Sequence, residues 1–112
     1  YLLGHWVRDK KALRFEEAIR MLTSRPAEVF GIKDRGLLQV GKPADVVIID
    51  PATVNAGGLE RVYDQPAGQD RLIAKAAGID AVIVNGTVLR RNGEDVVQGA
   101  LPGQLLRRGV NA

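Results

Sequence analysis

The sequence predicts an α+β chain in which helices come first and a small antiparallel β-sheet or sandwich follows. Three observations carry this. A helical period of apolar residues runs from Phe15 to Leu22, β-favouring runs replace it after Gly36, and an Asn-Gly pair at 85–86 separates two apolar stretches.

Phe15, Ala18, Ile19 and Leu22 fall at i, i+3, i+4 and i+7, with Glu16, Glu17 and Arg20 off that stripe. The two glutamates lie in the first turn, where the helix dipole favours acids. Ser24 and Pro26 read as an N-cap and a first-turn proline, so Ala27 to Phe30 predicts a second short helix that stops at Gly31. Leu37, Leu38 and Val40, and then Val46 to Ile49, read as strands bounded by Gly41, Lys42, Pro43 and Pro51. Residues 55–79, rich in Gly and Ala, read as a long loop holding at most one helical turn. Ala81 to Val84 and Thr87 to Leu89 flank Asn85-Gly86 and predict a type I′ hairpin. Asn92-Gly93 offers a second turn before Asp95 to Val97, making the end of the chain a small meander.

At 112 residues the chain is one domain's worth of material. It holds no apolar run long enough to span a bilayer. It opens on Tyr1, and "YLLGHWVRDKK" lacks the build of a secretory leader, so the sequence reads as an internal or C-terminal piece of something longer. The formal charge is +3, but the basic residues are scattered. Their richest cluster is Arg107 and Arg108, and the aromatics do not interleave with them, so no nucleic-acid partner is expected. Zero cysteines exclude disulfides and thiolate metal sites and fit a cytoplasmic setting.

No catalytic constellation can be assembled. His5 is the only histidine, so a multi-histidine metal site or a catalytic dyad is out of reach, and beside Trp6 it reads as structural. Ser24 has no neighbouring base and suits a cap. Asp45 and Asp50 bracket one strand and stand roughly 16 Å apart at about 3.3 Å per residue, too far for paired-carboxylate chemistry. They read as strand-end acceptors for adjacent turns. Gly57, Gly58, Gly86 and Gly93 lack the spacing of a phosphate-cradling loop. The chain's own catalytic, cofactor-binding and metal-binding residues are therefore read as none.

The order of motifs adds a family. "FEEAIRMLTSRPAEVFGIKDRGLLQVGKPADVVIIDPATV", Phe15 to Val54, resembles the C-terminal passage of the metal-dependent amidohydrolase superfamily, in which the last barrel helix precedes a Thr-Ser-x-Pro-Ala turn and a Gly-x-x-Ala-Asp strand entry. "YDQPAGQDRLIAKAAGIDAVIVNGTVLRRNGEDVVQGALPGQLLR" is similar to the tail of the N-acyl-D-amino-acid deacylases, or D-aminoacylases, with "GALPGQLLR" the more telling part. One departure is visible: Arg14 stands where family members carry a helix-capping serine.

The resemblance implies that residues 1–36 are a helical segment from the end of a (β/α)8 barrel and 37–112 the C-terminal part of the β-sandwich domain beside it. It implies a zinc-dependent parent enzyme that hydrolyses N-acyl-D-amino acids to D-amino acid and carboxylate, with its metal ligands on barrel strands before Tyr1. The piece itself is then structural and inactive. Its partners are the missing barrel and N-terminal sandwich strands of the same protein, and alone it is expected to self-associate through open edges. Two alternatives stand beside this: another amidohydrolase branch, dihydroorotase- or hydantoinase-like, and a stand-alone sandwich interaction module.

Overall fold

The computed structural model describes residues 1–107. Arg108, one half of the basic cluster noted above, lies outside the described residues. A π-helix, Leu2–Asp9, opens the chain and is followed by α1 (Phe15–Leu22) and α2 (Ser24–Phe30). The strands are β1 (Val46–Ile49), β2 (Asn55–Val62), β3 (Arg71–Ala77), β4 (Ile79–Val84), β5 (Thr87–Arg91) and β6 (Glu94–Asp95). They form a four-stranded antiparallel sheet of order β1-β4-β5-β6 and a separate two-stranded ribbon, β2-β3. The chain is thus α+β as read, with helices before sheet.

The α1 stripe places Ala18 fully out of solvent. Its start bears the mark of Arg14. Glu17 accepts the Arg14 backbone N–H at 3.4 Å, but a guanidinium has no acceptor to offer the N3 amide in return, so only one half of a capping box forms. At the other end the Thr23 hydroxyl donates to the Ile19 carbonyl at 2.7 Å. This corrects the expected cap: Thr23, not Ser24, is the N-cap of α2, and with its hydroxyl turned back to α1 it caps without a side-chain bond. Ser24 is the first helical residue, which leaves Pro26 in the first turn where its missing N–H costs nothing. Gly31 ends α2 at φ 69°, and Ile32 N–H donates to Ala27 at 2.8 Å in a Schellman arrangement.

Three strand expectations need correction. Leu37 to Val40 form no strand, because no neighbouring strand pairs with them among the described residues and a turn from Gln39 to Lys42 closes at 3.1 Å; β propensity without a partner ladder does not make a strand. Residues 55–79, expected as a loop, hold the β2–β3 ribbon, whose small residues hide its alternation. A bulge at Gly57 and Gly58 shifts the register. Third, β6 begins one residue earlier than expected and ends at Asp95, with Val96 adding one bond to Leu89 at 2.9 Å. The Asn-Gly hairpin holds as read: Asn85 and Gly86 take φ of 47° and 78°, and Asn92-Gly93 repeats the device at 50° and 82°.

What these elements do not build is a deep core. Among the described residues only Ala18 and Val54 are buried apolar side chains. The accessible surface is 8557 Å², against about 6,000 Å² for a compact monomer of this mass. The radius of gyration, 16.2 Å, exceeds the roughly 13 Å of a compact chain of this length.

Candidate functional site

Two polar joints hold the helical part against the strands. Arg35, whose side chain is 12% exposed, donates from Nη1 to Asp34 at 2.7 Å and pairs through Nε with Asp45 at 2.5 Å. Asp45 in turn accepts the backbone N–H of Asn85, at the tip of the β4–β5 turn, at 2.8 Å. One guanidinium thereby ties the segment after α2 to the start of β1 and, through Asp45, to the far hairpin. The Asp34 Oδ1 atom is buried beside this joint with no hydrogen-bond partner.

In the second joint Arg8, from the π-helix, donates to the Val54 carbonyl at 2.8 Å. Gly4 lies so close to Asn55 that a Cβ there would overlap its side chain. His5 sits between rings, stacked on Tyr1 at 4.6 Å and edge-on to Trp6 at 4.9 Å. That is a packing role, as the sequence suggested.

The aspartates at the ends of β1 do what their positions implied. Asp50 accepts the Ala52 N–H and the Thr53 hydroxyl, both at 2.9 Å, and so builds the turn that leaves the strand. Asp45 serves the Asn85 turn. Asp45 shares the Arg35 guanidinium with Asp34, so these two carboxylates are held by a cation between them and are not an open acid–base pair.

Between α1, α2 and β1 lies an open cleft of about 700 Å³, lined by apolar side chains that include Leu22, Phe30, Leu37 and Val47, with Leu106 of the tail on its wall. Arg35 and Asp45 are its charged members, already paired with one another, and its hydroxyl, that of Thr23, is spent on Ile19. The cleft offers apolar contact but no nucleophile with a base beside it. The tail is held nearby, since Asn85 donates from Nδ2 to the Pro102 carbonyl at 2.7 Å.

Among the described residues no group of three or more His, Cys, Asp or Glu side chains could hold a metal ion. The donors present do not fit a zinc site. The strongest electrostatic feature lies on the ribbon instead. Arg71 grips both Asp64 oxygens, at 2.7 and 2.6 Å, and this hydrogen-bonded guanidinium holds the Asp64 carboxyl down at about 2, while Asp64 pushes the Arg71 pKa up. Both side chains are about half exposed, at 51% and 50%, and the pair is no reaction centre.

The sequence, compared with protein families, matches the amidohydrolase family model Amidohydro_3 over residues 2–90. The chain belongs to the amidohydrolase family.

Its relatives include the N-acyl-D-glutamate deacylase of Alcaligenes xylosoxydans xylosoxydans, 37% identical over 110 residues covering 98% of this chain and 20% of that protein. A D-aminoacylase of the same organism is 36% identical, covering 96% of this chain and 20% of its own length. A 5-methylthioadenosine/S-adenosylhomocysteine deaminase of Bacillus thuringiensis (strain Al Hakam) is 39% identical over 90 residues, 77% of this chain and 19% of the deaminase. Among solved structures, that of D-aminoacylase, described as defining a novel subset of amidohydrolases, superposes with a TM-score of 0.67 at 33% identity, covering 87% of this chain and 19% of that one. The amidohydrolase segment thus spans about a fifth of the length of the relatives it matches. No helix among the described residues is long and apolar enough to cross a membrane.

Proposed function

We propose that this segment is the C-terminal structural part of a hydrolase that cleaves the amide of N-acyl-D-amino acids. The observation that carries the reading is identity of 36–37% to two such deacylases along nearly all of this chain but only a fifth of theirs. The helices would close the end of a catalytic barrel, and the sheet would complete a β-sandwich together with strands from elsewhere in the protein. The parent's zinc is placed on residues outside this segment; among the described residues no group of three or more His, Cys, Asp or Glu side chains is gathered. The segment is then inactive alone and serves the enzyme in the cytoplasm by packing.

The test is the intact mass of the product of its own gene, followed by assay of that product. A protein several times heavier than 12.1 kDa that releases D-amino acids from N-acetyl-D-amino acids, with zinc found by elemental analysis, supports the reading. A 12.1 kDa product overturns it in favour of a stand-alone interaction module.

The deaminase relative favours a second reading within the family, a different amidohydrolase branch. Parallel assays on N-acetyl-D-amino acids, on cyclic amides of the dihydroorotase and hydantoinase type, and on 5-methylthioadenosine separate the branches.

A further inference from the structure

The chain carries Asn-Gly at 85–86 and again at 92–93, and the two pairs occupy the same kind of turn. The asparagines hold positive φ, 47° and 50°, and the glycines after them 78° and 82°. Asn-Gly is also a pair open to self-modification, because glycine puts no side chain between the asparagine Cγ and the backbone nitrogen that follows it. That nitrogen can close on Cγ. The new N–Cγ bond makes a five-membered succinimide, the backbone proton passes to the side-chain nitrogen, and that nitrogen leaves as ammonia. Water then opens the ring at one of its two carbonyls and leaves aspartate or isoaspartate. Sequence and backbone conformation match at the two pairs, so the comparison turns on what holds each of them.

At the first turn every reacting group is engaged. The attacking nitrogen, that of Gly86, donates its N–H to the Ala44 carbonyl at 3.0 Å. The leaving nitrogen, Asn85 Nδ2, donates to the Pro102 carbonyl at 2.7 Å. Asp45 accepts the Asn85 N–H at 2.8 Å, and the residue is half-buried. Ring closure there must break several of these contacts together.

The second turn is held by other atoms. Asn92 N–H donates to the Asp80 carbonyl at 2.9 Å, and Arg90 reaches the Gly93 carbonyl at 2.5 Å. Neither bond involves a reacting group. Among the described residues, the Gly93 N–H and the Asn92 side-chain amide have no hydrogen-bond partner. Both residues are exposed, and the strand that follows them, β6, is two exposed residues at the sheet edge. This turn can flex without opening the rest of the sheet.

We propose that Asn92–Gly93 is a site of spontaneous deamidation, and that the fold protects the same pair at Asn85–Gly86. The reaction takes water as its one co-reactant and stands apart from the hydrolase reading. Its isoaspartate product adds a methylene to the backbone of a two-residue turn, so Arg91 and Glu94 lose their register and β6 is released from β5. Either product sets a new carboxylate beside Glu94 and Asp95.

The experiment ages the whole protein from its own gene in mildly alkaline buffer, where the attacking nitrogen is more readily deprotonated, beside an equal sample in concentrated urea. Peptide mass spectrometry reads amide-to-acid conversion at both positions, and electron-transfer fragmentation separates isoaspartate from aspartate. In the folded protein, conversion at 92 is expected to run at least about tenfold faster than at 85, while urea brings the two rates close together. Matching rates in the folded protein overturn the proposal, and so does an Asn92 that stays intact while the urea sample converts. A difference that persists unchanged in urea also overturns it, since the neighbouring side chains and not the fold would then set the rates.

Discussion

The guanidinium of Arg8 reaches across 46 positions of sequence to the carbonyl of Val54, 2.8 Å away. Val54 is one of two buried apolar residues among those described, so its carbonyl has little access to water and depends on this donor. Replacing Arg8 by Ala orphans that oxygen and is expected to cost about 1–3 kcal/mol. The shift in urea midpoint of the whole protein measures it, and Arg8→Lys, which keeps one donor, should recover part of the loss.

Gly78 sits between β3 and β4 at φ +72°, and a Cβ there would run into the backbone of Val54. Strain and overlap add, so Gly78→Ala is expected to destabilise by about 2–4 kcal/mol. Gly86→Ala is the control. It also has positive φ, but open space around it, so its thermal shift should be clearly smaller.

Arg14→Ser restores the acceptor that the N3 amide lacks. With Glu17 already bonded to the N-cap amide, the capping box would close, for a gain of about 0.5–1 kcal/mol. A lower denaturant midpoint in the serine variant would show that the Arg14–Glu17 ion pair at 3.4 Å outweighs the cap.

Acid acts on the ribbon through Asp64. Its pKa is lowered from 3.8 to about 2 in the folded chain, so the unfolded chain binds the extra proton between those values. The contribution of the pair is therefore complete above pH 4 and is lost as pH falls from about 4 to 2. Carboxyl NMR should show Asp64 titrating near 2, and Arg71→Gln should return it toward the ordinary range.

Made alone, the 112-residue segment is expected to self-associate at tens of micromolar, because its apolar cleft stands open and large apolar side chains of the ribbon are exposed. Light scattering showing a clean monomer at that concentration would contradict this.

The sequence was legible where local chemistry decides structure. The Phe15–Leu22 stripe, Gly31 and both Asn-Gly turns act within a few residues, and each appears where its pattern puts it. It was opaque where structure depends on distant pairing. Leu37 to Val40 carry strand propensity without a partner, while β2 and β3, interrupted by Gly57, Gly58 and several alanines, are strands because each has the other. The π-helix was not read although Leu3, Trp6 and Val7 stand at i, i+3 and i+4 in it, because the run is only two turns long, and its anchor, Arg8 on a backbone carbonyl, has no sequence signature at all. The polar roles of Asp45 and Asp50 were readable, since strand-end aspartates serve turns whatever the tertiary fold.

Asp50 donates its backbone N–H to the Gly78 carbonyl at 2.9 Å, so the chain leaves β1 and returns to β4 at one pinned point. Everything between, ribbon included, is a closed excursion. Lengthening or shortening it at the Pro66–Gly68 tip changes little in loop-closure entropy and nothing in how β1 meets β4. The ribbon is therefore a site at which insertions and deletions can accumulate among relatives while the sheet beneath keeps its register.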